Sequence, residues 1–342
     1  MAAKRRKVPV IVKILTGLVI FIGLVLLGAR LYFRIPVSSY YQASDKGFKI
    51  PGLADGLIPQ GIAWDEDNDS FLITGYQKDG NSTTIWKVDR KTGESQGYVK
   101  LLDDFGEDLV IHAGGLSVYS DYIYVASAEN DSIFVFNRGE VMNAGDGKAV
   151  QTLGRFHVST EEGVALRVDF TTVHDGKLVA GEFYRDPNYK TPDSHKFTTS
   201  SGDYLQAVAL EYEFSDSPDS MYGLEMRPVA AYALPDQVQG MAFADGKIYT
   251  SQSYALAFST IGVYDASKLS EIGEFADVPL YAIDSASRIT ELKFPPMSEE
   301  IEFVDGKMYT MCESASSKYI FGNLTGGQWC YATDVDKMQQ PR

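Results

Sequence analysis

Gln60, Gly114, Asp169, Gln239 and Glu299 each open a short apolar run, and Tyr76, Ser127, Glu182, Gln252 and Cys312 each close the next one. His112 precedes the second of these starts, Glu300 follows the fifth, and Glu313 follows Cys312. If the runs are equivalent units around an axis, these side chains meet as a ring of carboxylates and amides with a single imidazole. Such a ring suits a hard cation, Ca²⁺ or Mg²⁺, which would offset repulsion among Asp169, Glu182, Glu299 and Glu300. The same atoms accept hydrogen bonds from the hydroxyls of a polar ligand, or simply line a water-filled tunnel. Gln60, Tyr76, Glu182, Gln239, Gln252, Glu300 and Glu313 are the candidate ligand-binding residues.

The elements that must position them repeat. The copies read Gln60-Gly-Ile-Ala-Trp with Phe71-Leu-Ile-Thr-Gly, Gly114-Gly-Leu-Ser-Val with Tyr122-Ile-Tyr-Val-Ala, Asp169-Phe-Thr-Thr-Val with Leu178-Val-Ala-Gly, Gln239-Gly-Met-Ala-Phe with Ile248-Tyr-Thr-Ser, and Glu299-Glu-Ile-Glu-Phe with Met308-Tyr-Thr-Met. Their starts are 54, 55, 70 and 60 residues apart, about one four-stranded blade each. The expected fold is all-β, a five-bladed β-propeller over 46–342, with a sixth blade allowed by the extra material at 255–276. Third strands are expected at Thr84–Val88, Ser132–Phe136, Ala207–Tyr212 and Val278–Ile283, and a short helix at Ala266–Glu274. Thr260–Asp265 reads as an additional strand or part of a degenerate blade. Residues 185–203 read as a long loop, rich in turn formers. Gly47-Phe-Lys-Ile-Pro has no partner in its own neighbourhood, and is expected to complete the last blade, removing an open edge.

Ahead of the propeller, Val8–Phe33 is almost wholly apolar and long enough to cross ~30 Å of hydrocarbon. Lys4-Arg-Arg-Lys7 precedes it, which by the positive-inside tendency leaves 1–7 in the cytoplasm, with a linker at 34–45 and the propeller outside the cell membrane. A cleaved signal peptide is the competing reading, against which stand the length and the poor cleavage site Gly28-Ala-Arg-Leu-Tyr-Phe. Residues 1–34 hold seven bases and no acid, leaving the remainder with 24 bases against 46 acids. That surface repels nucleic acid and favours cations or neutral ligands. Cys312 and Cys330 are the only cysteines. In an oxidising compartment they pair, or they stay as buried thiols.

On Gln60-Gly-Ile-Ala-Trp-Asp, His112-Ala-Gly-Gly-Leu and the Asp-Gly-Lys hairpins at 175, 245 and 305, the chain resembles the calcium-dependent lactonase and arylesterase propellers, the gluconolactonase-like, paraoxonase-like and strictosidine-synthase-like group. That resemblance implies Asp169 and Glu299 as calcium ligands and His112 as the catalytic proton-transfer group of an ester or lactone hydrolase. It departs from the group in blade number, in lacking its Asn ligands, and in Gly114. Asp65-Glu-Asp-Asn-Asp69 lacks the glycine and distal Glu of an EF-hand and reads as a solvated turn. His157, His174 and His195 have no histidine partner at metal spacing and read as structural or surface residues. No nucleophile elbow, phosphate-binding loop, zinc-protease or dinucleotide motif occurs. Two functions follow: a membrane-anchored module binding a small polar molecule or a protein partner at its channel face, or a calcium-dependent hydrolase.

Overall fold

The structure, a computed structural model, describes residues 9–319, 322–324 and 327–339. The basic run at residues 4–7 lies outside them, as does Phe321, near which the last hairpin was expected to turn. Five sheets form the blades, each with four antiparallel strands, and those of blades one and three carry added strands joined in parallel. Blade one is Leu57–Asp65, Ser70–Gln77, Thr84–Asp89 and Ser95–Leu102; blade two is Ala113–Tyr119, Tyr122–Ser127, Ser132–Asn137 and Gly154–His157. Blade three is Phe170–His174, Lys177–Gly181, Ala207–Glu213 and Ala230–Leu234; blade four is Val238–Ala244, Lys247–Gln252, Ser259–Asp265 and Arg288–Phe294. Blade five takes Ser298–Val304, Lys307–Cys312 and Trp329–Thr333 from the end of the chain and Ser44–Lys49 from its beginning. The innermost strands touch in cyclic order, the fifth against the first, so the ring has five members.

Local chemistry explains the repeat. The hairpin between first and second strands turns on Asp175-Gly176, Asp245-Gly246 and Asp305-Gly306, each pair with two positive φ angles, 44° and 71°, 51° and 70°, 50° and 71°. This is the tight turn whose twist matches antiparallel strands. Near its start, the innermost strand of blades one, two, four and five carries a register shift, a bulge that re-aims the first side chains. The residue after each repeat start is Gly61, Gly115, Phe170, Gly240 and Glu300. A Cβ at Gly61 would come within 2.8 Å of Thr74, one at Gly115 within 2.6 Å of the Phe170 backbone, and one at Gly240 within 2.6 Å of the Glu300 backbone. The blades crowd so tightly at these three positions that only backbone fits there.

Glu300 is an exception, and its side chain lies among the innermost strands. Its carboxylate accepts the Ile62 N–H at 2.7 Å, the Leu116 N–H at 2.9 Å and the Thr171 N–H at 3.4 Å. One side chain of blade five thereby ties together the innermost strands of blades one, two and three.

Three expectations change. Val278–Ala282 is not the third strand of blade four; it lies parallel to Ala230–Leu234 as an added strand of blade three, paired in turn with Ser270–Phe275. There Val278, Leu280 and Ala282 bury against the blade-three core, while Ser259–Asp265 takes the vacated place in blade four. The helix expected at 266–274 is a single turn at Ala266–Lys268 followed by strand. Residues 66–69 form the expected turn, with Glu66, Asp67 and Asn68 exposed, but Asp65 ends the preceding strand, fully buried and paired with Arg138, Nε to Oδ2 3.0 Å. Cys312 and Cys330 are both buried free thiols.

Val10–Arg34 is one helix, α1, apolar and long enough to cross a membrane. Ile35–Val37 is a single helical turn, and Ser38–Ala43 is a second helix, α2. Tyr40 of α2 is buried against Phe294 and Tyr331, ring centroids 4.5 and 5.6 Å away. The stretch read as a linker is therefore packed onto the rim between blades four and five.

Candidate functional site at the channel mouth

Strand direction sets the face. Each innermost strand starts, and each second strand ends, on the same side of the disc. Loops from an outermost strand to the next blade, and from second to third strands, rim that side. There the structure opens a cavity of about 510 Å³. Gln60, Tyr76, His112, Asp169, Glu182, Gln239, Glu299 and Glu313 all line it. Gln252 does not; its Nε2 donates to the Asp236 carbonyl at 3.1 Å, fixing the neighbouring loop.

Most of these polar groups are already engaged. His112 Nε2–H donates to Gln60 Oε1 at 3.1 Å, the Gln60 amide nitrogen donates to the Pro59 carbonyl at 3.1 Å, and the imidazole lies against the Tyr76 ring, centroids 4.4 Å apart. Burial, with the Lys318 ammonium nearby, pushes the His112 pKa down to about 4, so the ring is neutral at pH 7 and serves there as a donor. The Tyr76 hydroxyl donates to Glu313 Oε1 at 2.5 Å and also meets the Lys318 ammonium. Glu182 accepts from His195 Nδ1–H at 3.0 Å and from the Val208 N–H at 3.1 Å. That pair, buried on both sides, holds the inserted 185–203 segment over blade three. His195 is structural, and so is His174, stacked on Phe243 at 3.6 Å and bonded to Glu211 at 3.1 Å.

Two carboxyl groups are left over. Glu299 is 1% exposed and its Oε1 has no hydrogen-bond partner among the described residues. Asp169, half-buried, makes no hydrogen bond through either carboxyl oxygen, and the Gln239 amide beside them is likewise unengaged among the described residues. Burial, aided by Glu313 and against Arg167, pushes the Asp169 pKa up to about 7. Burial, then Glu313, Asp169 and Glu300, pushes Glu299 well above the carboxylate range. Buried carboxyls held above their ordinary pKa by burial and by a neighbouring acid, here Glu313 for both, are a signature of functional clefts.

This carries a stability consequence. Because Asp169 binds its proton more tightly folded than unfolded, the native state loses stability as pH rises from the ordinary carboxylate range through about 7. Asp169→Asn is therefore expected to raise Tm more at pH 8 than at pH 5. Equal shifts at both values, in melts followed by circular dichroism, would remove the buried charge from the account.

No protein-family description matches the chain, and no curated protein matches it. Among solved structures it is similar to a glutaminyl cyclase from Myxococcus xanthus at 14% identity, covering 81% of this chain and 89% of that one, TM-score 0.37. It is similar to a PQQ-bound aldose sugar dehydrogenase from Streptomyces coelicolor at 16%, covering 78% and 76%, TM-score 0.39. A glucose dehydrogenase-type oxidoreductase from Thermus thermophilus aligns at 12%, covering 84% and 98%, TM-score 0.41. These are likenesses of strand arrangement, at identities that say nothing of activity.

The donor set does not fit a calcium ion. Among the described residues no three His, Cys, Asp or Glu side chains form a metal-holding group. Glu182, Glu300 and Glu313 are committed to protein donors, so Asp169 and Glu299 are the carboxyls left for a cation that wants six to eight oxygens. Repeat alignment missed the rim: Arg167, Tyr189, Lys190, Tyr254, Lys318 and Tyr319 also line the cavity. They come from loops of unequal length, which alignment by strand starts cannot register.

Proposed function

We propose that this chain is a membrane-anchored binding protein whose channel mouth takes a small organic ammonium group. The observation that carries it is the buried Glu299 carboxyl, its Oε1 without a hydrogen-bond partner among the described residues, lining the cavity together with Asp169. A neutral hydroxyl ligand would satisfy their lone pairs but supply no charge to hold them ionised. An ammonium supplies up to three donors and a positive charge, and charge-assisted bonds are the strong ones. Its size suits the cavity, and α1 supplies the anchor. Hydrolysis is the weaker reading, because His112 is held as a neutral donor and the floor lacks the donors for calcium.

Ethylammonium titrated into the full chain in detergent tests this by calorimetry. Saturable binding is expected, strengthening up to about tenfold per pH unit as pH rises toward 7, since the cation replaces a proton on Asp169. Heats indistinguishable from buffer at pH 8 would end the proposal.

A further inference from the structure

The cavity face and the membrane helix meet on one side of the disc. The last turn of α1 rests on Phe258, with the Tyr32 and Phe33 rings at 6.2 and 6.5 Å from it, and on Gly322–Leu324. Both contact points belong to second-to-third-strand connections, of blades four and five, on the side where the cavity opens. The rest of α1 is exposed. From Arg34 the chain passes Phe294, at the cavity-side end of blade four, and descends through α2 to Ser44 on the opposite face. The helix thus leaves the propeller on the cavity side.

That side carries apolar side chains that packing does not explain. Phe105 is 84% exposed at the tip of the connection from blade one to blade two, Val110 54% in the same connection, and Leu256 44% beside Phe258. Lys293 lies over the Phe258 ring at 4.3 Å and Arg34 over Tyr41 at 3.8 Å, where α1 meets the propeller. Aromatic and basic side chains flanking an apolar span are what a bilayer interface selects. Charge in the cavity is layered as well. Exposed Arg167, Lys190 and Lys318 line it with one exposed acid, Glu129, while Asp169 and Glu299 are less exposed.

We infer that the cavity face is turned to the lipid surface that α1 enters, and that the cavity takes the head of a phosphatidylethanolamine-type lipid, ammonium on Asp169 and Glu299, phosphate at the basic rim. The second half rests on the ammonium reading above; the orientation does not. Phe105, Val110 and Leu256 enter the interface and hold the mouth against the headgroups.

Two measurements on the full chain separate these. In nanodiscs containing doxyl-labelled lipid, bimane is attached to Phe105→Cys, Leu256→Cys or, on the opposite face, Leu153→Cys; the native thiols are buried and do not label. Quenching is expected to be several-fold stronger at 105 and 256 than at 153, and equal quenching at the three positions overturns the orientation. In detergent, a short-chain phosphatidylethanolamine is expected to displace ethylammonium, and the matching phosphatidylglycerol is not. Ethylammonium binding that neither lipid displaces, or that both displace equally, overturns the headgroup assignment while leaving ammonium binding intact. Absence of ethylammonium binding itself overturns both ligand readings and leaves the quenching result to decide the orientation.

Discussion

Glu300→Ala is expected to lower the unfolding free energy by roughly 3–9 kcal/mol, because three buried N–H groups lose their acceptor at about 1–3 kcal/mol each. Those donors sit on the innermost strands of three different blades. No neighbouring side chain can replace the lost acceptor, since the flanking positions are glycine where a Cβ would strike backbone. Glu300→Gln keeps one carbonyl oxygen on the axis and should lose less. Urea unfolding of the detergent-solubilised chain reads the difference, and an Ala variant within about 1 kcal/mol of the parent would show that the axis is held otherwise.

The double substitution Asp169→Asn with Glu299→Gln should act in the opposite sense. Losing two charge-assisted bonds at about 1.5–3 kcal/mol each weakens ethylammonium binding by at least about a hundredfold. The same variant should melt no lower than the parent at pH 8, because two carboxyls whose ionisation burial opposes become neutral. Binding lost while stability is kept marks residues shaped for a ligand, and a fall in both would make them ordinary parts of the core.

Much of the fold is legible in the residues. Asp-Gly pairs permit few conformations, and the alternation around them marks strands, so the first and second strands of all five blades lie where the repeats place them. Strand order in space is less legible. Val278–Ala282 and Ser259–Asp265 have similar apolar patterns, and only the parallel packing beside blade three decides between them. Of the candidate site, six positions that the repeats align, with the neighbouring His112 and Glu313, do surround one cavity. Alignment cannot tell which of them are already satisfied. Glu299 and Glu300 are neighbours with the same side chain, yet a backbone bulge sends one carboxyl into the cavity and the other across the axis. Nor can it show that Glu313 is occupied by Tyr76, since that bond joins residues 237 positions apart.

The pairing of Ser44–Lys49 with Trp329–Thr333 joins the earliest strand of the chain to the latest. During synthesis the first of these waits, unpaired, until almost every other residue has emerged, so the ring cannot be completed progressively. Contacts of such long sequence separation make for slow assembly and a prolonged interval of vulnerability. Under the proposed anchoring of α1 in a bilayer, that waiting strand stays tethered near the surface where its partner will arrive, and the search for it becomes a local one.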